Sequence, residues 1–364
     1  MPALSERMVM HVAFFTPPAP GHVNPVLPLV AELVRRGHRV SYAVGRAMAG
    51  AVRSAGAEPV PLPSDIPEST LAATGFTAQD LAAILESVHD VMSTDLPVLH
   101  GHFRADPPEV FCFDPINSFD FADQRLLAAQ QALADFAADN GLGALPDTMN
   151  EVPAPLNLVL VPKEFQPGGD TFDERFRFVG PSPRPEDATS WQPPESGRPL
   201  VYISLGTAFN ERPEFYRTCM EAFADGRSDV ALSAGSRVDP AALGALPDNV
   251  DVRAHFPQQA VLSRAGAFIS HCGMGSTMES LVAGVPLVAV PQVPEQHSNA
   301  RRVEELGLGR ILAEATAESI RATVESVAAD AEIRGNLDAM RRMVRAGGGA
   351  VAAADALEEY GGER

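Results

Sequence analysis

The chain has 364 residues, too long for one ordinary domain and suited to two of about 180 residues each. Lys plus Arg total 28 against 47 for Asp plus Glu, and the net charge of −19 denies it the positive field that nucleic acid or an anionic membrane surface requires. The three cysteines, Cys112, Cys219 and Cys272, have no metal-ligand spacing, which points to a reduced, cytoplasmic protein.

The first predicted element is a strand over Val9–Thr16, an apolar run rich in β-branched and aromatic residues and suited to burial on both faces. His11 interrupts the run and Pro17-Pro18 ends it, so it is too short to span a membrane, and no small-residue cleavage site follows. No stable membrane insertion is expected. Residues 17–25 read as a Pro-rich loop. Val26, Leu29, Val30, Leu33 and Val34 then recur at helical spacing, with Pro25 to open the helix and Gly37 to close it. A strand over Arg39–Val44 completes a βαβ unit, and with it a parallel sheet. A long helix over 77–94, a short strand over Val110–Phe113 and an Ala-rich helix over 122–139 follow.

Residues 181–199 read as a Pro-rich linker. A second α/β pattern comes after it, with strands at 200–205, 230–234, 267–270 and 286–290 and helices near 213 and over 276–283. The last helix, 350–359, has no strand after it. The expected parts are 1–180, the linker 181–199, a second domain 200–345, and a terminal segment 346–364. Ligands of such sheets sit at the carboxyl ends of strands.

The chemistry concentrates after the strand ending at Ser270. His271-Cys272-Gly273-Met274-Gly275-Ser276-Thr277 is a glycine-bearing loop that opens a helix, and Ser276 followed by Glu279 fits a capping box. Free N–H groups and the positive end of a helix suit an anion, above all a diphosphate. His271 could donate to a phosphate oxygen. Cys272 carries no mark of a nucleophile and reads as a packing residue. Asp65 and Glu68 read as solvated loop residues. His100 and His102 alternate as on one strand face but lack further metal ligands.

Five separated segments, in one order along nearly the whole chain, resemble the UDP-dependent glycosyltransferases, in particular the bacterial macrolide-type enzymes. They are Gly21-His22-Val23-Asn24-Pro25, Ser204-Leu205-Gly206-Thr207-Ala208-Phe209, His255-Phe256-Pro257-Gln258, the stretch from His271 to Glu279, and Pro291-Gln292-Val293-Pro294-Glu295-Gln296. The resemblance implies the α/β fold called GT-B, two Rossmann-like parallel-sheet domains facing across a cleft, with a C-terminal helix returning to the first. It implies an inverting transfer of a hexose from a UDP-sugar to a hydroxyl of a hydrophobic natural product, with no metal and no cofactor beyond the sugar nucleotide as co-substrate. By the same resemblance His22 is the general base and Asp114 orients it. Thr207, His271, Gly273, Gly275, Ser276 and Thr277 surround the diphosphate. His255, Phe256 and Gln258 lie at the nucleoside, Glu279 at the ribose, and Glu295 with Gln296 at the sugar. Partners are then the nucleotide sugar and a small acceptor, with a monomer or homodimer as the assembly.

The chemistry of the reaction fits those roles. A base must take the acceptor proton, and histidine does this near neutral pH. A carboxylate on its other nitrogen fixes the tautomer. The leaving diphosphate needs preorganised dipoles. The chain also departs from the family. Position 255 is histidine where a larger aromatic usually stacks on the base, and imidazole covers less area. Gln296 favours glucose. After Asp114 a helix and a buried strand of the family pattern are missing. A sheet that lost an interior strand would leave backbone groups unpaired. A break between consecutively numbered residues in 114–124 is therefore expected, with Cα atoms well beyond the bonded separation of about 3.8 Å. The alternatives on this fold are a sugar-nucleotide epimerase, a transferase using a dTDP-deoxysugar, and a non-catalytic binding subunit. A nicotinamide enzyme is disfavoured because no G-x-G-x-x-G follows the first strand.

Overall fold

The computed structural model describes residues 9–16, 20–63, 95, 98–99, 101–104, 106–113, 154–182, 191–207 and 210–362. The helices expected at 77–94 and 122–139, Asp65, Glu68, His100, Asp114 and the expected break at 114–124 lie outside them. His102 falls in a helical turn over 101–103, not on a strand.

The chain divides into two compact units. The first comprises residues 1–160, 172–182 and 348–364, and the second 161–171 and 183–347. The division between the units falls inside the segment 181–199, between 182 and 183. Residues 181–182 stay with the first unit, and Trp191, 6% exposed, is part of the second unit's core.

In the first unit β1 (His11–Phe15) leads to α1 (Pro20–Arg35), β2 (Arg39–Val44), α2 (Ala49–Ser54), β3 (Glu58–Pro61) and β4 (Val110–Phe113). All pairs are parallel, in the order β3-β2-β1-β4. Both expected strands around α1 are present, but the helix begins at Pro20 rather than Pro25. Proline fits a first turn because its fixed φ is already helical. Pro25 and Pro28 then lie inside the helix, where they remove the N–H partners of the Gly21 and Asn24 carbonyls without ending it. Val23, Leu27, Leu29, Val30 and Leu33 still bury one face. Two short strands, β5 (Asn157–Val159) and β6 (Phe176–Phe178), pair parallel in a separate sheet.

The second unit holds β7 (Leu200–Ser204), α3 (Pro213–Ala222), β8 (Asp229–Ser233), β9 (Val250–Arg253), α4 (Gln258–Leu262), β10 (Ala267–Ser270) and α5 (Met274–Ala283). It continues with β11 (Leu287–Ala289), α6 (Pro294–Glu305), β12 (Gly309–Ile311), α7 (Ala317–Ala329) and α8 (Ala331–Ala346). Its six strands are parallel in the order β12-β11-β10-β7-β8-β9. Every residue of β7, β8 and β10 is buried, as a sheet covered on both faces requires. This is the doubly wound order, which reverses direction between β7 and β10.

The last helix, α9 (Gly349–Gly362), belongs to the first unit. Gly348 and Gly349, at φ +80° and +55°, turn the chain out of α8. The Ala350 N–H then donates to Ser182 Oγ at 2.6 Å, and the Gly349 N–H to the Val179 carbonyl at 2.8 Å. Ala353, Ala354 and Leu357 enter the core made by β1, α1 and β2, with Tyr360 packed against it, as the sequence predicts for this helix. Arg36 donates to Glu32 at 2.8 Å, Asp355 at 2.6 Å and Glu358 at 2.9 Å, and His38 Nε2 lies 2.9 Å from Glu358. The Arg36 side chain is only 3% exposed, so its carboxylate partners keep a buried charge paired. The apolar face adds to this attachment. Leu357→Ala is expected to cost about 2–5 kcal/mol, read from urea unfolding; no measurable change would mean that α9 is not docked on this core. Among the described residues no helix is long and apolar enough to cross a membrane.

Candidate active site

In an open α/β sheet the crevice forms at the carboxyl ends of the two strands where the order reverses. In the second unit those are β7 and β10. The residues that follow them are Leu205-Gly206-Thr207 and His271-Cys272-Gly273, two of the segments singled out in the sequence.

The His271 ring is held between these two loops by the lack of side chains. A Cβ on Gly206 would stand 2.6 Å from its Cε1 and Nε2, and one on Gly273 2.5 Å from Nε2. Gly206 also sits at φ +79°, a conformation that glycine adopts readily. Nδ1 is sealed from solvent with no hydrogen-bond partner of ordinary geometry. Burial lowers the His271 pKa to about 4, opposed by a looser contact to the Ser204 backbone. The imidazole is therefore neutral at physiological pH, and can act on a phosphate oxygen as an N–H donor without carrying charge. The sign of the pH effect follows. Between pH 6.5 and about 4 the unfolded chain binds a proton that the folded chain refuses, so stability falls on acidification through that window. The parent should lose about 1–2 kcal/mol more than His271→Gln when urea unfolding is moved from about pH 7 to about pH 5. Equal losses would refute the buried neutral state.

Helix α5 starts earlier than predicted, at Met274, with Gly273 as its N-cap and no side-chain cap. The capping box is thus not formed. Ser276 lies inside the first turn, and its hydroxyl accepts from Gln258 Nε2 at 3.2 Å. The first turn's N–H groups are left to the helix dipole and to whatever anion meets it. A Cβ on Gly275 would meet nothing within 4 Å. So Gly273 is needed by His271, while the space at Gly275 is open.

Cys272 stands at φ +60°, the one non-glycine in the left-handed region among the described residues. That costs roughly 1–2 kcal/mol for an L residue. The Cys272 N–H donates to Ser270 Oγ at 3.1 Å, and Asn299 Nδ2 donates to its carbonyl at 3.0 Å. Burial pushes its thiol up to about 12, which removes it as a nucleophile and leaves the packing role.

Behind the loop, Glu279 is fixed by two amides. Gln258 Nε2 donates to its Oε2 at 2.6 Å and Gln259 Nε2 to its Oε1 at 3.1 Å. The Tyr202 hydroxyl in turn donates to Gln258 Oε1 at 3.3 Å. His255 and Thr207 are exposed, whereas Phe256 is buried edge-on against Trp191 and Tyr202. Thr277 is fully buried. On α6, Glu295 is exposed and accepts from Asn299 Nδ2 at 2.7 Å. Gln296 is 5% exposed, and its Oε1 accepts from the Gln292 N–H at 2.9 Å. Two further residues of this framework lie outside the segments that the sequence singles out. Asn299 was open to discovery as the i+4 neighbour of Glu295 on one helix face. Asn210, whose Nδ2 donates to the Gly206 carbonyl at 2.7 Å, carries no sequence signal.

In the first unit the sheet order reverses between β1 and β4, and Phe15 pairs with Phe113 at their carboxyl ends. His22 follows β1 as an exposed residue in the first turn of α1, not in a loop before the helix. Asp114, next after β4, lies outside the described residues. Among the described residues no group of three or more His, Cys, Asp or Glu could hold a metal ion.

With this geometry in place, comparison with known proteins is decisive. The chain is 37% identical over 393 aligned positions to NDP-glycosyltransferase YjiC of Bacillus licheniformis, covering 96% of this chain and 97% of that protein. It is 35% identical to the oleandomycin glycosyltransferase of Streptomyces antibioticus, covering 96% of this chain and 90% of that one. The chain belongs to the bacterial macrolide-type glycosyltransferases. A family model described as erythromycin biosynthesis protein CIII-like, C-terminal domain, matches this glycosyltransferase over residues 220–354. The crystal structure of CalG4, the calicheamicin glycosyltransferase, superposes with a TM-score of 0.82 at 32% identity, covering 97% of this chain and 98% of that one. The glycosyltransferase thus has the GT-B class of fold. The alignment to the Bacillus protein runs over more positions than the 364 residues of this chain, so the glycosyltransferase lacks residues that its relative carries.

Proposed function

We propose that this glycosyltransferase moves a hexose, glucose by the Gln296 criterion, from a UDP-sugar to a hydroxyl of a hydrophobic natural product such as a macrolide or other polyketide, with inversion at the anomeric carbon. The observation that carries this reading is the neutral His271 ring between Gly206 and Gly273, beside the uncapped start of α5. A leaving diphosphate gains charge as its bond to the sugar breaks. Fixed N–H donors and a helix terminus stabilise that charge without reorganising.

His22 takes the acceptor proton as the new carbon–oxygen bond forms, and Asp114 orients it. The pairing of Phe15 with Phe113 supports this dyad, because the two segments leave the sheet from adjacent strands. Glu279, held by Gln258 and Gln259, accepts from the ribose hydroxyls. Glu295 and Gln296 read the sugar hydroxyls. His255 offers the base an exposed imidazole.

The test is a matrix of UDP- and dTDP-sugars against macrolides, other polyketides and flavonoids, with EDTA present and read by mass increase. Addition of one hexose from UDP-glucose is expected. Transfer only from dTDP-sugars would replace the donor, and transfer only after Mg²⁺ or Mn²⁺ is restored would replace the metal-free mechanism. Isomerised sugar nucleotide with no acceptor product would favour the epimerase.

A further inference from the structure

We infer that Asn299 is a positioning residue that locks the diphosphate loop and the sugar-reading carboxylate into one geometry. The inference rests on the donor-site reading above and names a group that the reading does not use.

Asn299 sits within α6 and is only 7% exposed. Asparagine is a poor helix former, and a buried amide is costly unless bonded. Its two N–H donors are both spent, and on different segments. One goes to the Cys272 carbonyl at 3.0 Å, the other to Glu295 Oε1 at 2.7 Å.

The first bond acts on the peptide that follows a residue in the left-handed region. Cys272 is held at φ +60° with the His271 ring on one side and Gly273 on the other. A trans peptide is planar, with its C=O and N–H pointing opposite ways. Pinning the Cys272 oxygen toward α6 therefore aims the Gly273 N–H away from α6, at the N-cap of α5. Without that pin the Cys272–Gly273 peptide can turn about ψ of Cys272 and φ of Gly273, carrying the Gly273 N–H with it. The second bond ties the exposed residue Glu295 to the same amide and so restricts its rotamers. One amide thus sets both ends of the donor phosphate–sugar junction.

Wild type, Asn299→Ala, Glu295→Ala and the double variant are titrated with UDP and with UDP-glucose by calorimetry. The quantity read is the ratio of the two Kd values. Asn299→Ala should weaken UDP binding, and should weaken UDP-glucose about tenfold more, the scale of one hydrogen bond to a charged group. Glu295→Ala should shift the ratio similarly, and the double variant no further, because Asn299 reaches the sugar only through Glu295. Equal weakening of both ligands, as from general loosening, overturns the inference. So does an unchanged ratio in Glu295→Ala, or a double variant in which the two shifts multiply. If Asn299→Ala does not fold, Asn299→Asp keeps the shape, removes both donors and repels Glu295, and the same ratio decides. Failure of the wild type to bind either ligand overturns the donor-site reading itself, whereas normal binding with unaffected variants overturns this inference alone.

Discussion

His22→Ala is expected to bind UDP as the parent does and to turn over roughly 10²–10⁴-fold more slowly, the usual contribution of a positioned general base. The side chain is exposed in the first turn of α1, so its removal should leave the fold intact. The buried face of that helix is made by other residues, among them Val23, Leu27 and Val30. The loss should therefore fall on turnover, with little change in nucleotide affinity. Calorimetry with UDP and single-turnover rates on one preparation separate the two. Full activity in this variant would remove His22 from the mechanism.

Gly206→Ala should be nearly as damaging, from the second unit. The new methyl would stand 2.6 Å from the His271 ring and on a backbone at φ +79°. Either the ring leaves its place or the loop does. Loss of one preorganised donor to a developing oxyanion costs roughly 10²–10³ in turnover, and that is the fall expected here. Gly275→Ala provides the contrast. It meets nothing within 4 Å and lies inside α5, so it should fold well and gain a few tenths of a kcal/mol or more of helix stability. If its donor binding nonetheless falls, the open space there belongs to the ligand. If Gly206→Ala keeps wild-type turnover, the His271 clamp is not part of the chemistry.

Much of the fold was legible where local pattern and burial agree. Arg39–Val44 and Ala267–Ser270 are apolar runs with clear ends, and both strands match the structure residue for residue. The start of α1 differs from the pattern because Pro25 reads as an opener, whereas Pro20 serves that role and the helix tolerates two later prolines. Ser276 and Glu279 have capping-box spacing, but the N-cap falls three residues earlier, on Gly273. Spacing identifies a pattern and not its register.

The site shows the same division. The residues proposed to meet a ligand lie in short contiguous segments, and a sequence can expose those. The residues that hold them do not. Gly206 must be glycine because of an imidazole at position 271, far along the chain, and no local rule links the two. Asn210 owes its role to a backbone carbonyl that becomes reachable only once β7 has turned.

The assignment of α9 to the first unit has a consequence for biosynthesis. Ala353, Ala354 and Leu357 complete a core whose other members, Val12, Val30 and Val40 among them, are made long before them. At about 5–20 residues per second, the ribosome delivers that closing helix tens of seconds later. The second unit, which lies almost wholly between residues 183 and 347, has all its residues before then. The unit whose strands emerge before the second unit is therefore completed only after the second unit has been made, and its apolar groove waits uncovered for α9.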